Sequence, residues 1–345
     1  MLEKIDIDRI YDVNNTERAT TNDAPAYPYI DHNDRKKEYD DVYSGDQIEL
    51  DLAELESGQG ESEYILSLEQ NKMEFRNACI GILKNVGSYL NPDRVHEVFP
   101  GLDMNDIDSY DFNNSMIRFF VLTKENYEIM EETLYGSNVQ SSGISTTFHA
   151  MFEDTEGGGS KVMAVMEPVD FKRPLIVIND SIKDGSDPGS IRRQRRYIFT
   201  HEIMHVLVTP GGFSSEAEEA RVELSTRMSD FEDLSKSAEI GSFYGGYEKE
   251  VATLMLLMRI AEQGGMSKDK VCKALLSQDE GSFNDFRTIV EQKTGEEFFT
   301  KFFYDGLGDY DSFKNAISAL RTLPENEGIK DDERYKLLHP RQTII

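Results

Sequence analysis

Residues 201–205 read His201-Glu202-Ile203-Met204-His205, and this run limits what the chain can become more than any other. At about 100° per helical residue, positions i and i+4 stack one turn apart on one face, so both imidazoles can reach a single ion. Glu202 leaves the helix slightly to one side, where its carboxylate can take a proton from a water on that ion instead of binding the ion. The surroundings favour a helix. Tyr197, Ile198, Ile203, Met204, Val206, Leu207 and Val208 supply its apolar residues. Asp187-Pro188-Gly189-Ser190 offers a turn and a capping serine, and Pro210-Gly211-Gly212 a stop. The pattern predicts a mostly buried helix from about Ser190 to Val208 that carries two zinc ligands and a base.

A catalytic zinc ion takes three protein ligands and leaves the fourth position to water. The metzincin pattern would need glycine at 208 and histidine at 211, where the chain has Val208 and Gly211. The reversed His-x-x-Glu-His pattern is absent as well. Beyond the glycines lies an acidic helical stretch from Ser215 to Met228, containing Glu216, Glu218, Glu219 and Glu223. On a helix, Glu219 and Glu223 share a face with Val222 and Thr226, while Glu216 and Glu218 point elsewhere. A solvated acidic surface is the ordinary reading of such a run, and Glu216 or Glu223 are the other candidates for the third ligand.

The two segments together resemble the gluzincin zinc peptidases, the group that includes thermolysin. There, a second helix carries a glutamate ligand, a small residue after it and an acidic side chain four positions on. The matching stretch is Glu218-Glu219-Ala220-Arg221-Val222-Glu223, with Glu218 where asparagine is common and Ala220 where glycine is. The resemblance implies Glu219 as the third ligand of a Zn²⁺ ion. It implies Glu223 as the carboxylate that accepts the outer N–H of a ligand histidine and fixes its tautomer.

Gly246-Tyr247-Glu248-Lys249-Glu250-Val251 and the apolar run to Ile260 are similar to a Gly-Tyr-x-x-Glu-Val segment of some bacterial members. In that likeness Tyr247 donates its phenol to the developing oxyanion or binds the metal; a tyrosine before a helix more often simply packs. The resemblance covers roughly residues 190 to 305. It implies a zinc-dependent peptidase, cleaving internally, since the Gly-x-Met-x-Asn motif of one aminopeptidase branch is absent. A zinc-bearing module that only binds a peptide or partner, and a leaderless effector or toxin protease, are the alternatives.

Elsewhere the readings are coarser. Residues 1–63 hold 18 acidic against 6 basic side chains, over a third of the formal charge of −28, and read as a flexible arm. Residues 64–135 read as a helical region, from Ile65, Leu66, Leu68, Met73, Phe75, Ile80, Ile82 and Leu83 and again from Tyr127, Ile129, Met130 and Leu134. Residues 136–345 read as the zincin-like domain, an α+β unit divided into sheet and active-site helix at 136–212 and a helical subdomain at 213–345. Its strands are expected at 145–152, 161–166 and 174–178, with turns at 156–160 and 170–173 between them. A small mixed sheet before the zinc helix is what gluzincin-like folds show, and one edge strand there holds extended substrate. Arg192, Arg193, Arg195 and Arg196 read as a solvated face or as partners of the acidic arm.

The charge argues against nucleic acid and anionic membranes as partners and favours cationic peptides or proteins, although solubility accounts for it equally well. Acidic residues interrupt the first six positions, so no signal peptide is read there, and no run of 18 apolar residues occurs. The expected location is the cytoplasm, or outside it by a route without a removable leader. Cys79 and Cys272, far apart in sequence, suit a reducing compartment and lack metal-ligand spacing.

Overall fold

The computed structural model describes residues 68–122, 164–167, 174–179, 188–208, 212–229, 247–277, 279–308 and 310–327. The acidic arm at 1–63, the helix read around Tyr127–Leu134, the strand at 145–152 and the two turns at 156–160 and 170–173 lie outside them.

The first described helix, α1, spans Leu68–Asn85 and α2 spans Pro92–Val98. Three strands come after them: β1 at Arg118–Leu122, β2 at Ala164–Glu167 and β3 at Leu175–Asn179. Next come α3 at Pro188–Leu207, α4 at Ser215–Ser229, α5 at Glu248–Gln263 and α6 at Lys268–Leu276. Then α7 spans Glu280–Thr294 and α8 spans Glu296–Thr300, which runs into a π-helical turn at Lys301–Asp305 before α9 at Tyr310–Arg321. The described chain is therefore α+β, mostly helical with one small sheet. Among the described residues no helix is long and apolar enough to cross a membrane.

The described residues fall into two compact units, one built from 68–81 and 96–206, the other from 82–95 and 207–327. In the first, β3 is the central strand of a mixed sheet ordered β1-β3-β2. It pairs in parallel with β1, Arg118 opposite Leu175, and antiparallel with β2, Glu167 opposite Leu175. Ile176, Val177 and Ile178 are all fully buried. A strand covered on both faces reads as a continuous apolar run, which is how Leu175-Ile176-Val177-Ile178 could be recognised.

Phe75 of α1, Phe119 of β1 and Phe199 of α3 meet in one aromatic cluster, with ring centroids 4.8–5.5 Å apart. Arg196 donates from Nε to the buried carboxylate of Glu74 at 2.9 Å.

Three expectations are corrected here. The helical reading of 64–135 does not hold over the described residues 99–122. Residues 99–117 form tight turns held by Asp103 and Asp111, and 118–122 form β1. Pro100-Gly101 and the Asp/Asn-rich stretch after it end the helical pattern, and Arg118–Leu122 is too short an apolar run for periodicity to tell strand from helix. The arginines before the histidines are not simply a solvated face, because Arg195 is buried and Arg196 is paired with Glu74 of α1. Finally, α3 begins at Pro188, before the serine read as its cap, because proline's fixed φ and missing N–H suit the first helical position.

In the second unit α5 is the hub, packed against α4, α6, α7, α9 and the turn at Pro324–Asn326. Val251, Leu254, Leu256, Leu257, Met258 and Ile260 of this helix are all buried, as expected of a helix that is apolar nearly all round. Phe283, Phe286, Phe299, Phe302 and Phe303 build an aromatic core beside it. Cys79 and Cys272 are both buried free thiols, and burial pushes the Cys79 thiol well above its ordinary value.

Phe199→Ala empties the centre of the cluster shared by α1, β1 and α3. Urea unfolding should show a loss of about 3–5 kcal/mol, against under about 0.5 kcal/mol for the exposed Met104→Ala.

Candidate metal centre

The two histidines of α3 stand one turn apart with ring centroids 5.0 Å from each other and planes inclined by 74°. The ring of Tyr197, one turn earlier, lies 6.3 Å from that of His201. Between the histidines, Glu202 is buried, with 7% of its surface exposed. The helix places these groups as the spacing requires, and the apolar residues Ile203, Met204, Val206 and Leu207 lock it into the interior.

Glu219 of α4 completes the group. One ligand atom from each of His201, His205 and Glu219 lies within 4.8 Å of the other two, and His205 and Glu219 are half-buried. Among the described residues this is the one such cluster of histidine, cysteine and carboxylate ligands. Two neutral imidazoles and a carboxylate form a donor set suited to Zn²⁺. A zinc ion about 2.1 Å from each atom would hold them roughly 3.4 Å apart. The three side chains could hold a metal ion.

The second helix differs from a solvated acidic surface. From Ala220 to Arg227 every residue of α4 is buried. Its start is fixed by Ser214, one residue before the expected helix. The Ser214 hydroxyl accepts from Ala217 N at 3.1 Å and donates to the Phe302 carbonyl at 2.7 Å, while Ser214 N donates to the Phe303 carbonyl at 2.6 Å. Both carbonyls belong to the π-helical turn, a widened winding that alters the helical bonding ladder. Further along, Ser225 donates to the Arg221 carbonyl, Thr226 to that of Val222 and Ser229 to that of Ser225, so the interior hydroxyls are satisfied within the helix.

The charged groups of α4 are handled one by one. Arg221, fully buried, donates from Nε to the Leu275 carbonyl at 2.6 Å and sits 4.6 Å above the Phe213 ring. Burial pulls its guanidinium down to about 10, partly opposed by the nearby Glu218 charge, so it remains a cation at neutral pH. Glu223 is 1% exposed and accepts from Arg227 Nε at 2.7 Å, an ion pair one turn along the same helix. This pair engages one of the two Glu223 carboxylate oxygens. Glu216 turns to the end of the π-helical turn: a Cβ placed on Gly306, whose φ is +84°, would come within 2.7 Å of its Oε2. Glu250 of α5 is raised from its ordinary value by burial, and the Glu216 charge adds to that shift.

Of the candidates read from the sequence, then, His201, His205 and Glu219 come together, with Glu202 beside the first histidine. Glu216 is outside the cluster. Tyr247 is half-buried at the N-cap of α5, where its carbonyl accepts from Val251 N. Ser214, Arg221 and Arg227 were not singled out by sequence reasoning. Only Ser214 carried a recognisable signal, a serine at the N-cap three residues before Ala217. No protein-family model, curated protein or solved structure matches this chain.

Substituting the carboxylates of α4 in turn separates ligand from neighbours. In chelator competition, Glu219→Ala should weaken zinc binding by at least tenfold, and Glu216→Ala or Glu218→Ala by less than threefold. The reverse ranking moves the third ligand elsewhere.

Proposed function

We propose that this protein is a zinc-dependent peptide hydrolase of gluzincin type, with a zincin-like arrangement of sheet, histidine helix and glutamate helix. The observation that carries the reading is the convergence of His201, His205 and Glu219 from two helices, with ligand atoms within 4.8 Å of one another. The order of elements supports it, since a small mixed sheet precedes α3 and a helical unit succeeds it.

A bound zinc ion supplies a Lewis acid that acidifies water and polarises a peptide carbonyl. His201, His205 and Glu219 would hold that ion. Glu202, on the same turn as His201, accepts the proton released by the attacking water and returns it to the departing amine. Burial shields Glu202 from bulk solvent. Glu223, paired with Arg227, contributes a carboxylate one turn from Glu219 that can orient a ligand histidine. Tyr247 is the candidate phenol donor to the oxyanion.

A zinc-bearing binding module would use the same three ligands but give Glu202 no task. A peptide or protein is the proposed substrate, and the formal charge of −28 favours basic ones through long-range attraction.

Purified protein should contain about one zinc per chain, lost on His201→Ala or His205→Ala. Glu202→Gln should keep the zinc and lower cleavage of a peptide library by at least a hundredfold. Full zinc content in the histidine variants removes the metal centre; undiminished cleavage by Glu202→Gln removes the base.

A further inference from the structure

We propose that Arg221 is a positioning residue for Glu219, setting the rotation of α4 and thereby the direction of the third ligand; this rests on the zinc-site reading above. Two residues apart on a helix, the two side chains leave the axis about 200° apart, so they point to opposite sides. One side carries the ligand, and the other carries a guanidinium sealed in the helical unit.

The anchor has two specific contacts. Leu275 lies in the last turn of α6, where carbonyls lack helical partners and the helix dipole is negative, and its carbonyl receives Arg221 Nε at 2.6 Å. The Phe213 ring, 4.6 Å from the guanidinium carbon, holds the plane from one face. A fully desolvated guanidinium is tolerated only while such partners are kept, so rolling α4 about its axis would strip a buried charge of them. Ser214 prevents sliding along the axis through its bonds to the Phe302 and Phe303 carbonyls. Glu219 lies between these two fixed points, seven residues apart in sequence, so its carboxylate is presented from a segment that can neither roll nor slide. Lysine cannot reproduce this, because its ammonium lacks the planar fork that donates to a carbonyl while stacking on a ring.

The test uses the full chain, wild type and as Arg221→Lys, Phe213→Leu, Glu219→Ala and each double variant with Glu219→Ala. Zinc affinity is read by competition with a chromophoric chelator, and ligand geometry by the visible absorption of the Co²⁺-loaded protein. Arg221→Lys and Phe213→Leu should each weaken zinc binding roughly 10- to 100-fold and shift the Co²⁺ bands. In the Glu219→Ala background the same changes should cost less than threefold more, because the residue acts through that ligand. Phe213→Leu leaves the charge in place, so it decides the matter if Arg221→Lys does not fold. Unchanged affinity and bands in the folded single variants overturn the proposal, as does a full additional loss in the doubles. Failure of wild-type protein to bind either metal overturns the zinc-site reading, and this proposal with it.

Discussion

Burial of α4 is the constraint on which the rest of the candidate site depends. A helix with two arginines and four glutamates in fifteen residues would ordinarily lie on the surface, where water meets each charge. Here the segment from Ala220 to Arg227 is in the interior, and an interior charge is tolerated only with a hydrogen-bonding partner of matched geometry. Arg227 meets Glu223 within the helix; Arg221 meets a carbonyl at the end of α6 and the face of Phe213. Once those partners are required, the helix has one rotation and one axial position.

That rigidity changes what Glu219 can do. A carboxylate on an exposed helix samples many rotamers, and a cation would have to order it on binding. Presented from a clamped helix, the Glu219 carboxylate has fewer orientations to lose when it binds a cation. Preorganisation of this sort lowers the cost of assembling a three-ligand site. It also explains the π-helical turn before Gly306: the two carbonyls it directs at Ser214 set the starting point of α4. The proposed peptidase chemistry therefore draws on residues of α6 and of the segment around Phe302 that no motif contains.

Much of the fold could be read locally. Both site helices appear within two residues of their expected starts, the central strand β3 matches the apolar run that foretold it, and the apolar helix after Tyr247 is the hub of the helical unit. Local signals failed where the apolar run was short and unaccompanied, as at Arg118–Leu122, which only its pairing with β3 identifies as a strand. They failed again at the arginines of α3. Charge alone suggests solvent, whereas the packing of α1 makes Glu74 a partner of Arg196.

The sequence by itself determined the chemistry on offer: two imidazoles at a spacing of four, a glutamate between them, and acidic residues on the next helix, because helical periodicity makes same-face neighbours calculable from numbering alone. Which of those acids joins the histidines was decided only by tertiary structure. Glu216, Glu219 and Glu223 differ little in local character. Their separate fates beside Gly306, beside the histidines and beside Arg227 arise from how α4 is rotated, and that rotation is set in part by the Leu275 carbonyl, more than fifty residues away in the chain and beyond the reach of any local pattern.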